Sequence, residues 1–116
     1  MPYISFKTTL ELDDTEKHVL SSEIMQRVNC LPGKPPERTM VHIEDKCQIF
    51  RNGEVAVCAF VETIFQRPID FTKQKEYIES LYSLFLDRLG LEAHQIYFAM
   101  IDLDTWGTRG TLQKTT

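Results

Sequence analysis

Hydrophobic and polar positions in the first half of the chain change from strand-like to helical spacing and back again. Residues 3–9 are β-rich and alternate weakly, which predicts a strand. Asp13, Asp14 and Thr15 then supply helix-capping side chains, and apolar residues follow at helical spacing, namely Leu20, Ile24, Val28 and Leu31. Residues 32–36, with three prolines and a glycine, end this helix, and residues 39–44 predict a second strand.

The second half repeats this order after a hairpin. Residues 47–51 and 54–63 flank Asn52-Gly53, a dipeptide that suits the positive φ angles of a tight turn, and therefore predict a short strand and a long one. A second helix ending at Gly90 has its apolar residues on one face, at Ile78, Leu81, Tyr82, Phe85 and Leu89. Residues 96–102 predict the last long strand.

The two halves correspond in element order and length, so we interpret residues 1–45 and 54–103 as pseudo-repeats within one domain spanning residues 1–116. Each repeat is a strand, a helix and a strand, which is the sequence of a right-handed parallel βαβ unit. The predicted fold class is therefore α+β, with two βαβ repeats forming a four-stranded mixed sheet that carries both helices on one face.

The apolar run at residues 55–61 creates a burial problem, because it is hydrophobic on both faces of its strand while two helices cover only one. An uncovered apolar face of this size is unusual in a monomer. We therefore expect a homo-oligomer in which another copy of the chain covers the open face. A sheet curled enough to bury its own inner face is the alternative.

Composition narrows the function classes. The chain has 116 residues, and a net charge of −4 argues against a general nucleic-acid binder, while no apolar run approaches the length of a membrane helix. Three cysteines without a CxxC pair favour a reducing compartment over a disulfide framework or a zinc site. With no secretory signal at residues 1–7, we expect a cytoplasmic protein.

The N-terminus offers the most distinctive candidate chemistry. No nucleophile-elbow or phosphate-binding loop motif is present, and the scattered histidines, His18, His42 and His94, have no metal-ligand spacing, so we expect no metal. Removal of Met1 exposes the secondary amine of Pro2. An N-terminal amine has an ordinary pKa of roughly 7.7–8.0, so it is suited to removing a proton next to a carbonyl group.

Four local stretches resemble one known family. They are Met1-Pro2, Gly33-Lys34-Pro35-Pro36 with Met40-Val41-His42 after it, Thr63-Ile64 and Ile96-Tyr97. Together with chain length and the doubled βαβ order, they resemble the tautomerase superfamily, within its group of macrophage migration inhibitory factor and D-dopachrome tautomerase. The resemblance implies a homotrimer with active sites between subunits.

The resemblance also implies a cofactor-free keto–enol tautomerase, similar to phenylpyruvate tautomerase, acting on a small α-keto acid or its enol. Pro2 would be the general base and acid, and Lys34 would bind the substrate carboxylate. The backbone N–H of Ile64 would bind the ligand, and Tyr97 of a neighbouring subunit would close the pocket. From the residues alone, Lys34 also fits a solvated cation near a helix end, and Tyr97 also fits core packing.

Departures from the family pattern leave two other functions open. Ala99 replaces the family's asparagine, and Phe65 replaces a glycine, which adds bulk where the pocket is expected. One alternative is a dehalogenase or hydratase of the same superfamily, with Arg51 and Arg67 as extra cations and Glu62 activating water. The other is a non-catalytic, trimeric, cytokine-like binding protein.

Overall fold

The fold is a four-stranded mixed sheet covered on one side by two helices. The computed structural model describes residues 2–115. In chain order the elements are β1 (Tyr3–Thr8), α1 (Asp14–Arg27), β2 (Met40–Glu44), β3 (Phe50–Arg51), β4 (Glu54–Val55), β5 (Ala59–Gln66), α2 (Phe71–Leu89), β6 (Ile96–Leu103), β7 (Thr105–Thr108) and β8 (Thr111–Lys114). Short 3-10 turns occur at Val28–Cys30, Pro36–Arg38 and Ala93–Gln95.

The main sheet has the strand order β2-β1-β5-β6. β1 pairs parallel with β2, and β5 pairs parallel with β6, while the two halves join through the antiparallel pair of β1 and β5. Each half is thus a parallel strand–helix–strand unit, and the predicted fold class, with its two βαβ repeats, is confirmed.

Side-chain caps explain where the helices begin. The Asp13 carboxylate accepts the backbone N–H of Glu16 at 2.7 Å, and the Asp70 carboxylate accepts that of Lys73 at 2.9 Å. Each bond satisfies a donor that lacks a partner in the first helical turn. Gly90 ends α2 in the left-handed conformation, with φ of 68°, as its sequence position predicts.

The core lies between the helices and the inner face of the sheet. Phe6 of β1 and Phe85 of α2 are fully buried, with ring centroids 4.9 Å apart. Nearer the start of α2, the Tyr77 hydroxyl is hydrogen-bonded to the Thr63 hydroxyl at 2.8 Å, and burial raises the pKa of Tyr77. The odd-numbered positions of β5 therefore face the helices, and its even-numbered positions face outward.

The predicted long strand over residues 54–63 is wrong, although the hairpin before it is confirmed. Asn52 and Gly53 form the turn with φ of 54° and 80°, but β4 ends at Val55 and β5 begins at Ala59. Side chains at the end of β1 bind the intervening backbone: Thr9 Oγ1 donates to the Ala56 carbonyl and Thr8 Oγ1 to the Cys58 carbonyl, each at 2.8 Å. These bonds divide the apolar run between two sheets.

A C-terminal hairpin, formed by β7 and β8, was not predicted from the sequence. Its turn places Arg109 and Gly110 at φ of 52° and 78°. A β-branched or otherwise bulky residue is strained at such angles, whereas glycine is not. Arg109-Gly110, flanked by Thr105–Thr108 and Thr111–Lys114, is the sequence signal that indicates this hairpin.

The outer face of the sheet is open and largely apolar within this chain. Phe60 of β5 is 39% exposed and Tyr97 of β6 is 43% exposed. Met40 of β2 and Leu103 of β6 are exposed on the same face of the main sheet. Phe50 and Val55 of the β3–β4 hairpin, and Val57 between β4 and β5, are exposed as well. The alternative to an oligomer was a sheet curled enough to bury its own apolar face. The exposure of these side chains contradicts that alternative.

Candidate active site

Pro2 lies at the end of the sheet where β1 begins and β5 ends. Tyr3 pairs with Ile64 in the antiparallel register, and continuing this register by one residue places Pro2 level with Phe65. The Pro2 carbonyl accepts the backbone N–H of Met40 at 3.2 Å, and Pro2 is buried. The sheet register therefore brings two of the predicted site residues, Pro2 and Ile64, side by side.

Lys34 reaches the same end of the sheet from the segment after α1. Its Nζ donates to the carbonyl oxygen of Gln66, the last residue of β5, at 2.7 Å. Partial burial lowers the pKa of Lys34, because a charged ammonium loses hydration there. Lys34 is thus a partly desolvated cation anchored by a carbonyl two residues beyond Ile64, rather than a fully solvated surface lysine.

A cleft of about 210 Å³ opens beside Lys34. Gln66 forms one wall, and the C-terminal hairpin contributes Trp106 and Arg109 to another. Arg38, from the short 3-10 turn before β2, completes a set of three cations around this cleft. No sequence motif assigns a role to Arg38, Trp106 or Arg109. Arg38 is four residues after Lys34 in the chain, whereas Trp106 and Arg109 lie next to Lys34 only because the C-terminal hairpin packs there.

Tyr97 lies apart from this cleft within the chain. It pairs with Phe60 on β5, four residues before Ile64, which corresponds to about 13 Å along the strand. Its hydroxyl accepts a 2.6 Å hydrogen bond from Nη1 of Arg51 on β3. Tyr97 is exposed on the open face, so it is not part of this chain's own core.

The two departures from the family pattern fall on opposite faces of the sheet. Ala99 is two residues beyond Tyr97 and shares the open face with it. Phe65, expected to add bulk beside the pocket, is fully buried on the helix-facing side of β5 and is not among the residues lining the cleft. Pro2 and Ile64 do not line this cleft either, and Phe65 is level with Pro2 in the sheet, so the expectation that Phe65 affects the pocket stays a prediction.

Arg67 and Glu62, which the dehalogenase or hydratase alternative requires, lie at different places on the sheet. Arg67 pairs with Asp102 on the surface, with Nε 3.5 Å from Oδ2, and both side chains are about half exposed. Glu62 lies on the open face, in register with Ser5 on one side and Ala99 on the other. Arg67 already has a carboxylate partner, so its charge is partly compensated.

Neither a metal centre nor a membrane span is found among residues 2–115. No three His, Cys, Asp or Glu side chains come together there in a group able to hold a metal ion. In the same part of the chain, neither helix combines the length and apolar character needed to cross a bilayer.

The same fold occurs in proteins of known structure. The fold matches that of Leishmania major MIF2 with a TM-score of 0.85, at 24% identity over 97% of both chains. A macrophage migration inhibitory factor-like protein from Entamoeba histolytica matches at 0.80, with 17% identity over 97% of this chain and 98% of its own. The wild-type fused 4-OT protein R7, an asymmetric trimer, matches at 0.84, with 14% identity over 94% of each chain.

These structural matches establish the fold, and a family model establishes the relationship. No curated protein sequence matches the chain individually. The model of the macrophage migration inhibitory factor (MIF) family, however, matches residues 1–113, which include the cleft and nearly the whole C-terminal hairpin. The chain belongs to the macrophage migration inhibitory factor family.

Proposed function

We propose that this protein is a cofactor-free keto–enol tautomerase of small α-keto acids, acting through the Pro2 amine once Met1 is removed. The observation that carries the proposal is the partly buried Lys34 ammonium, held on the Gln66 carbonyl at the end of the sheet where β1 begins. A cation at this place attracts a carboxylate and disfavours protonation of a nearby amine. Membership of the MIF family supports a tautomerase-type function.

The proposed reaction needs only proton transfers. In the keto-to-enol direction, the Pro2 nitrogen takes a proton from the carbon next to the carbonyl group, and the protonated amine then gives that proton to the carbonyl oxygen as the double bond shifts. In the reverse direction, the Pro2 nitrogen takes the proton of the enol hydroxyl and delivers it to carbon. Lys34 holds the substrate carboxylate, and the Ile64 N–H donates to the ligand, so that the reacting carbon lies beside the base.

Lys34→Gln tests the role of the ammonium. We expect KM for phenylpyruvate to rise about tenfold, because a hydrogen bond to a charged group contributes about 1.5–3 kcal/mol. Lys75→Gln removes the same charge from an exposed position on α2 and serves as the matched control. Steady-state kinetics measure KM for both variants. Equal KM values would mean that Lys34 does not bind the substrate.

The pH dependence of KM for phenylpyruvate provides a second test of Lys34. Since burial lowers the pKa of Lys34, its ammonium loses a proton at a lower pH than an ordinary lysine does. Binding of the substrate carboxylate is then lost as the pH rises through that lowered value. The alkaline rise in KM is expected for the wild-type protein and for Lys75→Gln, and is expected to be absent from Lys34→Gln.

We further propose a homotrimer in which Tyr97 of one subunit completes the pocket of the next. Tyr97 is about 13 Å along the sheet from Ile64 of its own chain, and it lies on an open apolar face with Phe60. Burying that face against another copy brings Tyr97 to a neighbouring site without moving it within its own subunit. The fused 4-OT protein described above is itself a trimer.

Phe60→Asp tests this assembly. A buried carboxylate without a partner is costly, so the variant is expected to sediment near the 13.5 kDa of one chain, while the wild type sediments at about three times that mass. Phe71→Asp introduces the same charge at a position that is 77% exposed on α2 and is expected to remain trimeric. A wild-type protein that sediments as a monomer contradicts the proposed assembly.

Glu62 favours a second candidate function, hydration or dehalogenation of a small unsaturated acid. Its carboxylate is only partly exposed on the open face, next to the alanine that replaces the family's asparagine. Such chemistry requires Glu62 to activate water, so Glu62→Gln would abolish it while leaving ketonisation intact. Equal turnover of an unsaturated acid substrate by Glu62→Gln and wild type would dismiss this candidate.

A further inference from the structure

The cleft beside Lys34 carries an excess of positive charge that one substrate carboxylate does not balance. Three of its lining side chains are the cations Lys34, Arg38 and Arg109, and none of the Asp or Glu residues within 2–115 lines it. The chain as a whole is acidic, with a net charge of −4. The cleft is therefore opposite in sign to the rest of the molecule, which favours an anionic ligand.

The three cations come from two segments that the fold brings together. Lys34 follows α1, Arg38 ends the 3-10 turn Pro36–Arg38, and Arg109 occupies the turn between β7 and β8. Within residues 2–115, neither Arg38 nor Arg109 forms a side-chain hydrogen bond or a salt bridge. Both guanidinium groups keep their donors available to a ligand.

We propose that the physiological substrate carries a second anionic group, a carboxylate or a phosphate, which Arg38 and Arg109 bind while Lys34 holds the carboxylate of the α-keto acid. This inference rests on the proposed function for the role of Lys34. It narrows the substrate class from small α-keto acids in general to those with a second acidic group.

Guanidinium chemistry and cleft size support this assignment. A guanidinium presents its N–H donors in a planar fork that matches the oxygens of a carboxylate or a phosphate. The cleft, at about 210 Å³, is smaller than a typical pocket for a drug-sized ligand, so it suits a short molecule with an anion at each end. Trp106 also lines the cleft and offers an apolar surface for the carbon chain.

Trp106 also supplies a binding signal that does not depend on turnover, since it is the only tryptophan in the chain and lines the cleft. Quenching of its fluorescence is measured with three ligands of similar length at constant ionic strength. Pentanoate carries one carboxylate, glutarate carries two, and 4-phosphonobutanoate carries a carboxylate and a phosphonate.

We expect glutarate, 4-phosphonobutanoate or both to bind the wild-type protein about tenfold more tightly than pentanoate, because of the added charge-assisted hydrogen bonds. The stronger of the two identifies the second group as carboxylate or phosphate. In the double variant Arg38→Gln/Arg109→Gln the advantage disappears, while Lys75→Gln keeps it. Equal binding of all three ligands, or an advantage that survives in the double variant, would overturn the proposal.

The outcomes separate this inference from the proposed function. If the doubly charged ligands bind through Arg38 and Arg109 but the protein ketonises no substrate, the cleft assignment stands and the tautomerase proposal fails. If phenylpyruvate is ketonised but the second anion gives no gain, the tautomerase proposal stands and this inference fails. Circular dichroism of the double variant verifies that it is folded.

Discussion

Adding a single residue before Pro2 is expected to lower the rate of phenylpyruvate ketonisation by about 10²–10⁴-fold, the usual contribution of a general base. The added residue converts the secondary amine of Pro2 into an amide, which has no basic lone pair, while leaving every side chain in place. Lys34 still holds the substrate carboxylate, so substrate binding is expected to remain. The measurement is the initial rate followed by the ultraviolet absorbance of the enol.

The matched control carries the same added residue after Thr116, at the other end of the chain. This control is expected to retain the wild-type rate. Fluorescence quenching of Trp106 by glutarate, measured on both proteins, establishes that the cleft is intact in each. Ketonisation at the wild-type rate by protein with a blocked Pro2 nitrogen means that another group is the base.

The second large effect concerns stability. Phe85→Ala is expected to lower the free energy of unfolding by about 3–5 kcal/mol, because it removes a fully buried ring and leaves a cavity. Phe85 packs against Phe6, with ring centroids 4.9 Å apart, and against Phe98, at 6.2 Å. It therefore joins α2 to both halves of the sheet. Urea denaturation at equal subunit concentration measures the difference.

Phe71→Ala provides the comparison for the same chemical change at an exposed site. Phe71 opens α2 and is 77% exposed, so its truncation is expected to change the unfolding free energy by about 0.5 kcal/mol or less. Similar losses for the two variants would mean that Phe85 does not form the centre of the core.

The helices and the sheet strands are predictable from sequence because their signals are local. Apolar spacing identifies the buried faces of α1 and α2, and Asp13, Asp70 and Gly90 mark helix boundaries through caps that involve near neighbours in the chain. The break between β4 and β5 is different. Thr8 and Thr9 cause it by binding carbonyls more than forty residues away, and no local pattern shows such contacts.

Some residues of the candidate site are predictable from sequence and others are not. The family resemblance points to Pro2, Lys34 and Ile64. The register of β1 with β5 places Pro2 and Ile64 at one end of the sheet, and the hydrogen bond to the Gln66 carbonyl places Lys34 there. Arg38 and Arg109 belong to no motif. Arg38 lies near Lys34 in the chain, but Arg109 reaches the cleft only because the C-terminal hairpin packs near the segment after α1, which the sequence does not indicate.

A free Pro2 amine beside Lys34 is proposed to catalyse keto–enol exchange. The ketonisation rate of untagged protein, whose intact mass shows that Met1 has been removed, tests this proposal. We expect a rate well above that of buffer, which disappears when the Pro2 nitrogen is blocked. A protein of the correct mass that is folded, binds glutarate and leaves the ketonisation rate at the buffer value contradicts it.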